Sequence, residues 1–174
     1  MISDFELDGY DKGGGDTVVF SHSDRGGCRR DGQGGATVLN GKTYFTPIGG
    51  IALKFTAGET LVRGEIVAVN ATGAYMEAWK CAANADTPFG TVYDATATAG
   101  NPVWINVAGV GYCRPEVGAS ATIAHIAYVS NSERGRADNA ATIPATEFHN
   151  REIGHYLESS SGNNEPARIV MHFN

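Results

Sequence analysis

A few small groups of residues carry the side-chain types that chemistry needs. Ser21-His22-Ser23-Asp24 sets hydroxyls, an imidazole and a carboxylate side by side. A nucleophilic triad draws its members from separate segments that converge, whereas neighbours on an extended chain point to opposite faces. No Gly-x-Ser-x-Gly turn accompanies the group, so it reads as a polar turn and the chain as a non-enzyme. Asp8, Asp11 and Asp16 flank Gly13-Gly14-Gly15. They lack EF-hand spacing and any recurring glycine-rich calcium repeat, and read as a solvated loop. His149, His155 and His172 gather toward the C-terminus, but no Cys or Glu pair stands near them at metal-ligand spacing. No metal and no cofactor is therefore expected, although a histidine on a trimer axis would make a three-ligand site without any signature in one chain. Trp79, Trp104, Tyr75 and Tyr112 have faces suited to stacking on a sugar or base; packing in a core or subunit interface is the commoner use.

Other motifs fall away on context. Asn70-Ala71-Thr72 fits the glycosylation sequon, yet Asn70 and Gly73 are explained as turn formers. The glycine clusters match neither a phosphate-binding loop nor a dinucleotide fingerprint, because no Gly-Lys-Ser/Thr and no strand-turn-helix context surrounds them. Cys28, Cys81 and Cys113 show no C-x-x-C spacing and cannot all pair within one chain, which points to a reducing compartment. The residues after Met1 lack the basic start and apolar core of a secretory signal, and no apolar run approaches a membrane span. A net charge of -6 argues against nucleic-acid and anionic-membrane partners, which require clustered Lys and Arg.

These residues sit in a chain that reads as short strands. The 174 residues suit one domain; with 18% charged residues and 23 glycines, they favour strands and turns over charged surface helices. Ala99 to Pro115 shows the best alternation, with Val103, Ile105 and Val107 on one face and Trp104, Asn106 and Ala108 on the other. Gly109 and Gly111 allow a bulge or bend there, so the stretch reads as a bent central strand. Further strands are predicted at 51–55, 60–63, 65–69, 74–79, 89–93, 122–129, 151–157 and 167–173. The alanine-rich piece from Cys81 to Asp86 allows one helical turn at most. Gly58, Gly64, Gly100 and Gly118 each precede an extended run and read as barrel corners. The predicted fold is all-β, a single β-barrel or β-sandwich domain over 49–174. Its core is assigned to Val103, Ile105, Val107, Ile123, Val129, Ile153, Leu157, Ile169 and Met171.

Residues 1–48 have another texture, with glycine clusters breaking short apolar pieces. They read as an extended Gly-rich N-terminal arm that buries little and loses much entropy on ordering. Its end, Val38 to Phe45, carries Asn40-Gly41 between apolar runs, a hairpin signal. Val18, Val19 and Phe20 suit strand addition to a partner, and Arg25, Arg29 and Arg30 form the one basic cluster.

From Gly50 to Asn174 the chain resembles the small β-domain capsid decoration (cement) and head-fibre proteins of tailed-phage virions. The matching pieces are 58–67, Pro88 to Tyr93, Gly100 to Gly109, Ser130 to Ala137, and the end Arg151-Glu-Ile-Gly-His-Tyr-Leu-Glu158 with Ala167-Arg-Ile-Val-Met-His-Phe-Asn174. The resemblance implies a non-enzymatic virion protein on the capsid surface, made in the host cytoplasm. Its implied partners are the major capsid protein and copies of itself as a homotrimer. The alternative is a virion appendage, a fibre base or a surface module binding host glycans. Light scattering on the purified protein at micromolar concentration should therefore show an oligomer, most simply a trimer; monomer alone would contradict the expectation.

Overall fold

The computed structural model describes residues 19–20, 42–69, 76–85, 87–142, 150–161 and 164–172. The chain is all-β, with no helix longer than a short turn among these residues. In order, the strands are β1 (Val19–Phe20), β2 (Thr43–Phe45), β3 (Gly50–Ala57), β4 (Leu61–Val62), β5 (Ile66–Val69), β6 (Glu77–Lys80) and β7 (Gly90–Val92). They continue with β8 (Thr96–Ala97), β9 (Pro102–Cys113), β10 (Ile126–Val129), β11 (Ala137–Ala140), β12 (Glu152–Tyr156) and β13 (Ala167–Met171). Strands β8 and β11 are additions to the predicted set; the Cys81 to Ala85 piece forms only a turn, closed by Ala85 N–H donating to Ala82 O.

One sheet of 11 strands runs β1-β2-β3-β6-β5-β7-β9-β13-β12-β10-β11, and β3 also pairs with β9. That extra pairing closes β3, β6, β5, β7 and β9 into a ring. The other half of the sheet curls likewise. A parallel bridge joins Pro115, just beyond β9, to Ala137 at the start of β11, with Ala137 N–H donating to Arg114 O at 3.0 Å. The β4–β8 pair places Leu61 and Ala97 in the first ring's core.

Two hydrophobic clusters fill the two rings. The first contains Phe55, Leu61, Val67, Val92, Val103 and Ile105, and the second Cys113, Val129, Ile153, Tyr156, Ile169 and Met171. Strand β5 serves both, because adjacent residues of a strand face opposite ways: Val67 enters the first cluster and Ile66 the second. Where β3 and β9 meet, their backbones approach so closely that a Cβ on Gly50 would lie 2.1 Å from Val110 O. Gly109, at φ +72, would bring a Cβ to 2.5 Å from Gly49 O, so both positions need glycine.

Four expectations require correction. Ile123 is 57% and Leu157 42% exposed, rather than in the core. β10 starts only at Ile126, so Ile123 falls in the preceding turn, and Leu157 lies past the end of β12 where the chain bends. Val107 is half-buried, because it is the extra residue in β9 where Ile51 and Ala52 pair with Ala108 and Asn106. The corner assignment also fails: Gly64, Gly100 and Gly118 sit in turns at positive φ, and Gly58 in a bend beneath Trp79. The remaining core residues are buried as expected.

Thr43–Phe45, assigned to the arm by sequence, pair antiparallel with β3 through a turn in which Gly50 N–H donates to the buried Thr46 hydroxyl. β1 pairs with β2 in turn. Since Ile105 is fully buried in the first ring, Ile105→Ala should lower the unfolding free energy by about 2–5 kcal/mol, measured by urea denaturation. A loss near zero would show a core that collapses around the cavity.

Candidate functional site

The arm residues give little to build on. Val18, Arg25, Arg29 and Arg30 lie outside the described residues, as do Ser21 to Asp24, the early aspartates, Cys28, Asn70 to Tyr75 and His149, while Val19 and Phe20 contribute only their β1 backbone. Strand β1 lies at one end of the large sheet, and β11 at the other.

A row of aromatic rings forms on β2, β9 and the residue after β7. Tyr44 packs against Trp104 at 5.4 Å and against Tyr93 at 5.8 Å, and Tyr93 against Tyr112 at 6.4 Å. Cations line the row: the Arg63 guanidinium lies 5.3 Å from the Tyr112 ring and 5.9 Å from that of Tyr93, and Lys54 lies 6.0 Å from Trp104. Arg63 is held there by donating from Nε to Tyr93 O at 2.9 Å. Sequence reasoning singled out Trp104 and Tyr112 but missed Tyr44, Tyr93 and Arg63, which come from separate strands and turns. Trp79 belongs elsewhere. Its ring covers Gly58, whose Cβ would lie 2.2 Å from it, and its Nε1 donates to Glu77 at 3.0 Å.

Asp94 adjoins this row and accepts the Trp104 backbone N–H at 2.7 Å. Burial pushes its carboxyl up from the usual range, against the lowering effects of that hydrogen bond and of Arg63 and Lys54. Burial likewise raises the Cys81 thiol to about 11 and the Cys113 thiol to about 12, so both are held as inert core thiols.

A second constellation lies where β12 meets the end of β13. His155 Nδ1 stands 2.9 Å from His172 Nε2, with the rings tilted by 34°, and Glu152 Oε1 is 3.5 Å from the same His172 nitrogen. One ligand atom from each of these residues lies within 4.8 Å of the others, so they are able to hold a metal ion. The sequence reading grouped His155 and His172 with His149 but passed over Glu152, three residues from His155. On a regular strand that spacing puts two side chains on opposite faces. Here β12 is bulged: Ala127 pairs with Gly154 while Tyr128 pairs with Glu152, leaving Ile153 as the extra residue. A bulge is not legible as a ligand spacing, and it brings the carboxylate round to the imidazoles.

No family model matches the sequence, and no curated protein matches it. Among solved structures, the fold is similar to the N base of the head fibre protein gp8.5 of bacteriophage phi29. That likeness has a TM-score of 0.51 at 12% identity and covers 70% of this chain and 92% of the other.

Because Asp94 is raised in the folded state, protonation favours folding: stability from this group increases as pH falls through its folded pKa and levels off below the ordinary value of about 3.9. Asp94→Asn keeps an acceptor for Trp104 N–H. Its stability relative to wild type should be most favourable at neutral pH and lose that advantage on acidification, as chemical denaturation across pH 3–8 will show. A difference independent of pH would contradict the assignment.

Proposed function

We propose that this chain is a non-enzymatic structural protein of a tailed-phage virion, docked on the outer capsid shell as a decorating and stabilising subunit. The observation that carries the reading is the likeness of its fold to the phage head-fibre N base, which takes in nearly the whole of that domain. The sequence resemblance over Gly50 to Asn174 points the same way. In this reading the major capsid protein and further copies of the chain, as a homotrimer, are the partners, and the host cytoplasm is where the chain is made.

The arm is the proposed capsid-binding element. Val18, Val19 and Phe20 would add backbone and apolar contacts, and Arg25, Arg29 and Arg30 would meet acidic capsid groups. Ordering such a segment costs about 1 kcal/mol or more per residue, so many contacts must form together. A fibre-base or host-glycan-binding role is the second reading, favoured by the row of Tyr44, Trp104, Tyr93 and Tyr112 flanked by Arg63 and Lys54. Aromatic faces with adjacent donors suit carbohydrate stacking; a glycan array with a Trp104→Ala control separates this reading from the first.

Co-sedimentation with undecorated capsids of the cognate phage should recover the full chain. A truncation starting at Lys42 retains β2 and the sheet that follows. It should fold, as judged by circular dichroism, and bind about tenfold or more weakly, the effect of about 1.4 kcal/mol. Failure of the full chain to bind any capsid would sink the proposal. Equal binding by both would move the docking surface from the arm to the barrel.

A further inference from the structure

The constellation on β12 and at the end of β13 is built, rather than a chance meeting of surface groups. Glu152, with its side chain only 6% exposed, offers a carboxylate already withdrawn from water, where its attraction for a cation is stronger than at the surface. His155 and His172 aim ring nitrogens at each other across 2.9 Å, so one must donate a proton and the other accept it. The bulge that brings Glu152 to them is fixed by the backbone: a Cβ on Gly154 would lie 1.9 Å from Val170 O. His172 follows β13 and is anchored by its own N–H, which donates to Ile153 O at 2.9 Å.

We propose that Glu152, His155 and His172 form a binding site for a first-row divalent transition-metal ion, Zn2+ foremost, with the remaining coordination open to water or to a group from a neighbouring copy. Two imidazoles and one carboxylate suit zinc, whereas calcium and magnesium take oxygen sets. Zinc–nitrogen bonds of about 2.0–2.1 Å at a tetrahedral angle put two ligating nitrogens about 3.3 Å apart. The imidazoles therefore need to part by about 0.4 Å, a small rotation for His172, whose side chain is 41% exposed. Binding replaces the shared proton with the cation: the donating imidazole loses that proton to water and takes one up on its other ring nitrogen, so both rings ligate as neutral imidazoles. The ion would then tie β12 to the chain beyond β13 at the rim of the second ring.

The test uses the full chain without a histidine tag, stripped with EDTA and dialysed at pH 7.5. Titration with ZnCl2 in a calorimeter, with metal content by mass spectrometry, should give one ion per chain, and Co2+ should give visible ligand-field bands. His155→Gln with His172→Gln, and Glu152→Gln separately, should weaken binding by more than the roughly 10- to 100-fold that losing an outer-shell partner costs. Zinc should raise the melting temperature of wild type but not of the double variant. Absence of stoichiometric Zn2+, Ni2+ and Co2+ binding by wild type overturns the proposal without reference to any variant. Undiminished binding by a folded double variant also overturns it, by assigning the metal to His22, His125 or His149.

Discussion

Everything in this fold depends on one strand being hydrogen-bonded along its length to three others. The first half of β9 pairs with β3 on one edge and with β7 on the other, and its second half pairs with β13. Removing it would open both rings at once, because each uses β9 as a stave. The strand manages this by changing direction midway, through the extra residue Val107 and Gly109 at positive φ. Among the described residues, closure leaves few free edges: the sheet's end strands β1 and β11 are short, and Ala137 of β11 is itself bridged to Pro115.

Double use has a packing cost that the chain meets with small and polar residues. Thr91 and Asn106 are opposite each other on β7 and β9 and are both fully buried. Gly111 leaves them room, since a Cβ there would come within 3.1 Å of each and 2.4 Å of Met171 Sδ. Elsewhere buried charge is paired: Glu65, almost wholly buried, meets Lys80 at 3.0 Å and accepts the Val62 N–H at 2.9 Å. Such a pair is weak evidence for stability, but loss of one partner would strand the other charge in the interior. The seam between the rings is closed by backbone bonds as well, with Ile66 N–H donating to Gly135 O and Arg114 N–H to Gly64 O.

The pair of rings carries two groups of functional side-chain types. The aromatic row sits where β2 pairs with β3, and its position depends on the Thr46–Gly50 turn that delivers Tyr44. The Glu152, His155 and His172 group sits where the bulged β12 meets the end of β13. The aromatic row joins residues of β2, β9 and the turn after β7, which lie far apart in the sequence, whereas the Glu152, His155 and His172 group joins two consecutive strands that pair with each other. Neither group has the convergent nucleophile and base that the Ser21 to Asp24 run only suggested by adjacency.

The all-β class and most strand positions were already readable in the order of residues, because alternation with a period of two and turn residues are local properties. Val103, Ile105, Val129, Ile153, Ile169 and Met171 were legible as core for that reason. Ile123 and Leu157 were not, since whether a strand extends over them depends on partners elsewhere in the chain. Long-range pairing was needed to show that β9 is shared by two rings, that Asn106 is buried on the face opposite Ile105, and that Tyr44, Tyr93 and Arg63 join the row of Trp104 and Tyr112. It also decided that Glu152 stands beside the two histidines. A bulge moves a side chain across the sheet without leaving a mark on the spacing of residue types, because it is set by how two strands register against each other rather than by either strand alone.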